Sequence, residues 1–129
     1  MHIIGNGVDI IKNSRINNSL KIKGFLKRIF TDKEIQQGKK LKNKINFYAK
    51  RFAAKEAFVK AIGTGFRSDI NFIDIEIKNY KNGKPYISLS KKLNNFLQKK
   101  FKIQKYKVFL SLSDEKDYSI AFVVIDKKI

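Results

Sequence analysis

The sequence has no cysteine, and among its 129 residues it has one proline and one histidine. The absence of cysteine excludes disulfides, thiolate metal sites and cysteine nucleophiles. The histidine is residue 2, next to a terminus that we expect to fray, so a histidine-rich metal cluster is excluded as well. No apolar run approaches the roughly 18 residues needed to cross a bilayer. The N-terminus has no basic region or small-residue cleavage site, so we expect a cytoplasmic protein that does not enter a membrane.

Acidic residues are scarce: 11 Asp plus Glu stand against 29 Lys plus Arg, and the formal net charge is +18 at pH 7. Such an excess attracts nucleic acid or acidic proteins. Nucleic-acid binding predicts clustered cations with arginine forks for phosphates and base edges. Only four of the cations are arginine, and the lysines are spread along the whole chain. We therefore favour an acidic protein partner or compositional drift, and we keep a small nucleic-acid-binding module as the non-enzyme alternative.

The length corresponds to one domain over residues 1–129, and 43% apolar residues with 11 Phe are enough for a core. A strand is predicted over 2–11, followed by a short helix capped by Ser14. The capping box that begins at Thr31 predicts a helix ending near Gly38. Apolar periodicity predicts a long helix over 45–62, and Gly63 provides its stop.

Strands dominate the second half of the sequence. Alternation predicts strands over 69–78, with a bulge, and over 86–89, 107–112 and 118–125, with a helix over 93–101 between them. The turn at 114–117 joins the last two strands as a hairpin. Together these elements predict an α+β fold, in which an antiparallel sheet packs against one long helix and shorter helices.

Two carboxylates lie where apolar neighbours make a charge costly. The helix over 45–62 places Glu56 beside Phe52 and Ala53, where a carboxylate must be paired or bound to a metal. An i,i+4 pair with Lys60 is the alternative explanation for Glu56.

Asp9 interrupts an apolar strand between Val8 and Ile10. It could also be a simple strand-end cap. Because the sequence has no cysteine and no usable histidine, Asp9 and Glu56 together suit a hard, oxygen-binding ion such as Mg²⁺.

Two other motifs carry less information about chemistry. Gly63-Thr64-Gly65 has the wrong spacing for a phosphate-binding loop and follows a helix instead of opening one. Ser111 and Ser113 have no histidine partner, which argues against a serine hydrolase.

The run at 52–65, FAAKEAFVKAIGTG, resembles the F-x-x-K-E-A-x-x-K-A-x-G-T-G signature of holo-(acyl-carrier-protein) synthases, the small bacterial-type 4′-phosphopantetheinyl transferases. Three further segments resemble that family in the same order. They are the opening G-V-D-I at 7–10, the N-G-K-P turn at 82–85 and the closing hairpin at 111–125. The resemblance is colinear and covers nearly the whole chain.

The resemblance implies a fold and an activity. The fold would be that of the 4′-phosphopantetheinyl transferases. Asp9 and Glu56 would bind Mg²⁺, which would hold the pyrophosphate of coenzyme A while a serine of apo acyl carrier protein attacks the β-phosphorus. Lys60 would neutralise charge near the leaving phosphates, and either Glu56 or a metal-bound water would take the serine proton. The products would be holo acyl carrier protein, for fatty-acid biosynthesis, and adenosine 3′,5′-bisphosphate.

The resemblance also implies binding residues and partners. The residues that would line the coenzyme A cleft are Arg51, Lys60, Gly63, Gly65, Lys84 and Ser111. Arg15 stands where relatives bind the acidic helix of the carrier protein. Lys21, Lys23, Lys27 and Arg28 could extend this docking face, and a solvated polar face is the alternative explanation for each of them. Family members are homotrimers with active sites between protomers, so the same assembly is expected here, with no membrane and no specific nucleic acid as partner.

Three positions depart from the family pattern. Lys12 and Asn13 replace what is usually an acidic and then an apolar residue, which leaves the start of the first helix open. Leu112 stands where some relatives have histidine, so no histidine base is expected. The enzyme alternative is a transferase with a broader range of peptidyl or polyketide carriers, although such enzymes are typically about twice this length.

Overall fold

A 19-residue helix lies across a three-stranded antiparallel sheet. The computed structural model describes residues 2–67 and 69–128. Within them the elements are β1 (His2–Lys12), α1 (Asn13–Ser19), α2 (Phe25–Ile29), α3 (Asp32–Lys39), α4 (Lys44–Ile62), a 3₁₀ turn (Phe72–Asp74), β2 (Ile75–Asn79), β3 (Pro85–Leu89), α5 (Lys91–Lys100), β4 (Tyr106–Asp114) and β5 (Tyr118–Lys127).

The sheet has the strand order β1-β5-β4, and β2 and β3 form a separate antiparallel hairpin. Alternate residues of β5 face α4 and are fully buried, among them Ala121 and Val123. This arrangement confirms the predicted α+β fold, with an antiparallel sheet on one long helix. No helix within the described residues is long and apolar enough to cross a membrane.

Strand β1 contacts the backbone of α4 directly because two of its residues are glycine. A Cβ atom added at Gly7 would lie 2.0 Å from the carbonyl oxygen of Ala57, and one added at Gly5 would lie 2.0 Å from that of Ala61. The helix offers small side chains in return, since Ala57 is fully buried and Ala61 nearly so. This close approach fixes the position of β1 along the helix.

A buried ion pair holds the opposite side of α4. Lys55 Nζ lies 2.7 Å from Glu34 Oε1, with the two side chains 0% and 1% exposed, and it also donates to the carbonyl of Ile29. Glu34 accepts from the backbone N–H groups of Thr31 and Ile77 as well. The pair therefore ties α4 to α2, α3 and β2, and its full set of hydrogen bonds offsets much of the cost of burying the charges.

The boundaries of several predicted elements are confirmed. Helix α4 ends at Gly63, which has a left-handed φ of 77°. Helix α3 begins with the predicted capping box of Thr31 and Glu34. The hairpin around 114–117 also forms, because β4 pairs with β5 up to Asp114 and Ser119.

Two predictions about local structure are wrong. Ser14 does not cap the first helix, which begins at Asn13. The buried Asn13 side chain donates to the carbonyls of Glu115 and Lys116 and accepts from Ser119, so it fastens the helix start to the β4–β5 turn.

The predicted strand over 69–78 begins only at Ile75. The residues before it form the 3₁₀ turn, which Asn71 and Asp74 cap. This turn, and not a bulge, causes the change of phase in the apolar pattern. Helix α2 was not predicted from the sequence.

We expect Gly7→Ala to destabilise the fold, because its methyl group would overlap the Ala57 carbonyl and force β1 away from α4. The loss in free energy of unfolding should reach or exceed the about 1–3 kcal/mol typical of an overpacked core. Urea denaturation measures it, with Asn95→Ala at an exposed position of α5 as a control expected to change stability by less than about 0.5 kcal/mol. Equal unfolding midpoints for Gly7→Ala and the wild type would contradict the close contact.

Candidate functional site

Asp9 lies on the side of β1 that faces α4. Successive side chains of a strand point to opposite faces, and Asp9 shares its face with Gly7 and the buried Ile11, whereas Val8 and Ile10 are exposed on the other face. The side chain of Asp9 is 15% exposed. The contact between β1 and α4 thus brings a carboxylate from the start of the chain to the surface of the long helix.

Lys60, in the last turn of α4, pairs with this carboxylate. Its Nζ atom lies 3.0 Å from Asp9 Oδ1 and 3.1 Å from the carbonyl oxygen of Val8. Among the ion pairs of the described residues none includes Glu56, so the i,i+4 pair between Glu56 and Lys60 is not formed. The lysine side chain is 52% exposed and remains accessible to a ligand.

Glu56 is half-buried beside Asp9. Burial raises the pKa of Glu56, the negative charge of Asp9 raises it further, and Lys60 acts in the opposite direction. Ionising Glu56 beside Asp9 is costly, and a cation bound between the two carboxylates would stabilise their ionised forms. In the part of the chain that the structure describes, no three His, Asp or Glu side chains form a metal-binding group. A cation here would have two protein carboxylates and take its other oxygens from phosphate and water, as Mg²⁺ commonly does.

A second group of predicted residues lines a cavity of about 350 Å³ between α4, β4 and the β2–β3 turn. Arg51, Lys84 and Ser111 all line this cavity, together with Lys50 and Asn79. Three cationic side chains around one opening favour an anionic ligand. A larger cavity, of about 830 Å³ between β3, β4 and α5, contains none of the predicted site residues.

Arg51 is the most constrained of these cations, at 4% exposure. Its guanidinium lies 3.8 Å from the ring centroid of Phe47, and its Nη2 donates to Asn79 Oδ1 at 2.8 Å and to Gln37 Oε1 at 3.4 Å. Burial lowers the pKa of Arg51 to about 10, while Glu34 and Tyr48 act in the opposite direction. Its buried Nε has no hydrogen-bond partner among the described residues. A donor left unsatisfied in this way is what an arriving anion would satisfy.

The two groups lie on opposite sides of α4. Nine positions separate Arg51 from Lys60, which corresponds to about 13 Å along the axis and two and a half turns around it. Gly63 and Gly65, both with positive φ, follow the helix at the Lys60 end. The predicted coenzyme A residues therefore divide into Arg51, Lys84 and Ser111 on one side and Lys60 with the two glycines on the other.

The residues predicted to dock a carrier protein are exposed near β1. Arg15 is on α1, Lys21 and Lys23 lie in the turn after α1, and Arg28 is on α2. All four side chains are exposed and lie within residues 15–28.

Comparison with known proteins identifies the family. Residues 5–123 match the family described as the 4′-phosphopantetheinyl transferase superfamily. The chain belongs to this superfamily.

Its relatives within the superfamily agree along the whole chain. A holo-[acyl-carrier-protein] synthase of Pelagibacter ubique is 54% identical over 128 residues, which cover 99% of this chain and 100% of the relative. A synthase of the same description from Ehrlichia chaffeensis is 48% identical over 95% of this chain and 96% of the relative. The resemblance to holo-(acyl-carrier-protein) synthases and the predicted class of enzyme, a transferase, are confirmed.

Solved structures agree in fold. The holo-(acyl-carrier-protein) synthase of Bacillus anthracis, in complex with CoA (3′,5′-ADP), has a TM-score of 0.83 and 37% identity, covering 99% of this chain and 100% of that chain. The enzyme of Helicobacter pylori, in complex with coenzyme A, has a TM-score of 0.79 and 32% identity, covering 94% and 99%. The fold predicted from the resemblance is therefore confirmed.

The sequence did not indicate Asn79 or Gln37, the two amides that hold Arg51. Both are distant from Arg51 along the chain, and no motif marks them. The pair between Asp9 and Lys60 was also missed, although the strand and helix that carry these residues were both predicted.

We expect Glu56→Gln to change how stability depends on pH in protein freed of divalent cations. Because the pKa of Glu56 in the folded state lies above its usual 4.5, the folded protein holds an extra proton between these values. The free energy of unfolding of the wild type should then fall as pH rises through that window. Glutamine does not titrate, so the free energy of unfolding of the variant should decrease less than that of the wild type over this pH range.

Urea unfolding between about pH 4 and pH 8 measures the difference, with the exposed Glu115→Gln as the matched control. Parallel pH profiles of the wild type and Glu56→Gln would contradict a strained carboxylate at this position.

Proposed function

We propose that this protein is a holo-(acyl-carrier-protein) synthase, a single transferase domain over residues 1–129 that acts in fatty-acid biosynthesis. It transfers the 4′-phosphopantetheine group of coenzyme A to a serine of apo acyl carrier protein and releases adenosine 3′,5′-bisphosphate. The observation that supports this best is the Asp9–Glu56 carboxylate pair beside Lys60, in a chain similar over its full length to enzymes of that name.

Asp9 and Glu56 are proposed to hold Mg²⁺. Their carboxylates suit that ion, and burial together with the charge of Asp9 raises the pKa of Glu56, so its ionised form gains from a nearby cation. When bound, the ion would supply positive charge to the pyrophosphate of coenzyme A. Lys60, already within 3.0 Å of Asp9 and half-exposed, adds a second positive charge that can turn from the carboxylate to a phosphate oxygen.

The transfer breaks the phosphoanhydride bond of the coenzyme A pyrophosphate and forms a phosphoester bond to the carrier serine. The carrier serine oxygen bonds to the β-phosphorus, the bond from that phosphorus to the bridging oxygen breaks, and the serine proton passes to Glu56 or to water. The protein contributes mainly by positioning the groups and neutralising charge, as in other phosphoryl transfers. Asp9 and Glu56 are fixed for this purpose by a strand and a helix whose backbones are in contact.

The phosphorylated adenosine end of coenzyme A is proposed to bind in the cavity of Arg51, Lys84 and Ser111. Arg51 offers an unsatisfied donor and Lys84 a second cation, and a phosphate would pair with both. Gly63 and Gly65 are proposed to lie along the ligand at the other end of α4. Added Cβ atoms there would meet nothing within 4 Å, so this surface is open to a ligand.

One coenzyme A is proposed to contact two chains. In a single chain the carboxylate pair and the cavity lie on opposite sides of α4, so a ligand that touches both is most simply bound between neighbouring protomers. In such a contact, one surface of each protomer binds a different surface of its neighbour. Repetition of this contact gives a closed ring when the rotation between successive protomers is a whole fraction of a full turn. We therefore propose a homotrimer with three shared sites.

The outer face of the sheet supports such an assembly. Val8 and Phe122 lie opposite each other on adjacent strands and are 51% and 47% exposed, and Ile10 and Ile120 form the next pair at 60% and 38%. Monomeric proteins rarely expose a contiguous apolar patch of this kind. A neighbouring protomer would cover it.

The basic surface of Arg15, Lys21, Lys23 and Arg28 is proposed to dock the acidic carrier protein. Charge complementarity of this kind raises association rates and orients the partner. Neither a membrane nor a specific nucleic acid is part of the proposal, and the cytoplasmic location stays a prediction.

Incubation with coenzyme A, Mg²⁺ and apo acyl carrier protein should add one phosphopantetheine group to the carrier, as measured by mass spectrometry. Asp9→Asn and Glu56→Gln should each slow the transfer by about 100-fold or more, because both remove charge that positions the cation. Asp69→Asn, at an exposed carboxylate that pairs with Arg67, should transfer at the wild-type rate.

The proposal fails if the wild type gives no mass gain, or if neither carboxylate variant slows it. The same assay with peptidyl and polyketide carriers tests the alternative of a broader transferase, which predicts comparable rates on those carriers.

A further inference from the structure

The end of β2 carries an amide that joins the buried cation of the cavity to the β2–β3 turn. Asn79 Oδ1 accepts from Arg51 Nη2 at 2.8 Å, and Asn79 Nδ2 donates to the carbonyl oxygen of Gly83 at 2.9 Å. Guanidinium groups only donate hydrogen bonds and carbonyl oxygens only accept them. The amide of Asn79 must therefore turn its Oδ1 toward Arg51 and its Nδ2 toward the Gly83 carbonyl. Asn79 therefore connects helix α4 to the turn that carries Lys84.

The turn itself is closed by short hydrogen bonds on either side of that amide. Tyr80 N donates to the Lys84 carbonyl at 2.9 Å, and Gly83 N donates to the Tyr80 carbonyl at 2.8 Å. Lys84 N donates to Asn82 Oδ1 at 3.0 Å. These bonds and the ladder between β2 and β3 shape the turn. Among the described residues, Asn79 is the side chain that hydrogen-bonds both to this turn and to Arg51.

Arg51 is buried against the ring of Phe47, so its guanidinium depends on protein acceptors for its hydrogen bonds. Of the acceptors that its guanidinium has in the described residues, Asn79 is the near one, and Gln37 is farther away at 3.4 Å. Gln37 Nε2 also lies 3.5 Å from Asn79 Oδ1, so Gln37, the more distant acceptor of Arg51, itself contacts the amide of Asn79. Without Asn79, the guanidinium would keep the ring of Phe47 and the longer bond to Gln37, and these hold the direction of its free Nε less firmly.

We propose that Asn79 is a positioning residue for anion binding. It holds the Arg51 guanidinium in place against the turn that carries Lys84, and thereby determines how tightly the phosphorylated adenosine end of coenzyme A binds, without touching the reacting phosphorus. The inference rests on the proposed function, since it concerns the same cavity. A guanidinium that is already held loses little side-chain entropy when the phosphate arrives, and this is where the gain in affinity comes from.

Two variants of Asn79 test the inference against adenosine 3′,5′-bisphosphate, whose binding is measured by calorimetry without any transfer. Asn79→Leu removes both hydrogen bonds and should weaken binding by about tenfold, the size expected when a hydrogen bond to a charged group is lost. Asn79→Asp keeps the acceptor for Arg51, loses the donor to Gly83 and adds a negative charge beside the phosphate site. It should weaken binding at least as much. Asn95→Leu makes the first change at an exposed position of α5 and should leave binding unchanged.

Transfer kinetics separate positioning from a merely structural role. Asn79→Leu should raise KM for coenzyme A by about tenfold while KM for the carrier protein stays close to that of the wild type. The melting temperature should fall, because the buried guanidinium loses its near acceptor, but the protein remains folded at the assay temperature. Unchanged bisphosphate binding in Asn79→Leu would overturn the inference. So would a rise in KM for the carrier protein as large as the rise in KM for coenzyme A.

The outcomes also distinguish this inference from the proposed function. If the wild type binds the bisphosphate in an Asn79-dependent way but transfers nothing, the proposed function is wrong and the positioning role of Asn79 stands. If transfer occurs and the Asn79 variants bind the bisphosphate as tightly as the wild type, the proposed function stands and the positioning role of Asn79 is wrong.

Discussion

The contact between the backbones of β1 and α4 is the constraint on which the rest of the structure depends. Gly7 and Gly5 allow the strand to lie against Ala57 and Ala61, and no larger residue could occupy either strand position without moving the helix carbonyls. The strand alternation then determines that Asp9, two residues after Gly7, faces the helix. The catalytic carboxylates proposed for this protein meet because two glycines in one strand have no side chains.

The opposite side of α4 is fixed by charge instead of by close packing. Lys55 lies next to Glu56 in the sequence but points the other way, into a pocket where Glu34 and the Ile29 carbonyl accept from it. The strand contact sets the position of the helix, and the buried ion pair sets its rotation. Both are needed for Glu56 to face Asp9, so two adjacent residues of one motif have separate tasks, one in the fold and one at the proposed site.

Helix α4 also explains why the proposed site is divided. Since it carries Arg51 on one side and Lys60 on the other, a single chain presents the cavity proposed for adenosine and the carboxylate pair in different directions. The apolar outer face of the sheet lies away from the helix and offers an area where neighbouring chains can meet. A ring of identical chains would reunite the two halves and cover that face at the same time.

Local patterns in the sequence were sufficient for some of this structure and insufficient for the rest. The long helix, its stop at Gly63 and the capping box of Thr31 depend on neighbouring residues, and all three were predicted. The start of α1 was not, because Asn13 is held by the distant β4–β5 turn, which overrides the capping preference of Ser14. At the site, the motifs pointed to the carboxylates and cations that the structure brings together. No sequence pattern pointed to Asn79, because its contact with Arg51 forms only when β2 packs beside α4.

The most direct test of the shared site is complementation between two inactive variants. Lys84→Glu disables the cavity half and Glu56→Gln disables the carboxylate half, and the two chains are refolded together from urea in equal amounts. If each site takes one half from each of two neighbours, random mixing in a ring restores about a quarter of the sites, and transfer activity should rise to about a quarter of the wild-type level. Activity that stays at the sum of the two separate variants would contradict a site shared between protomers.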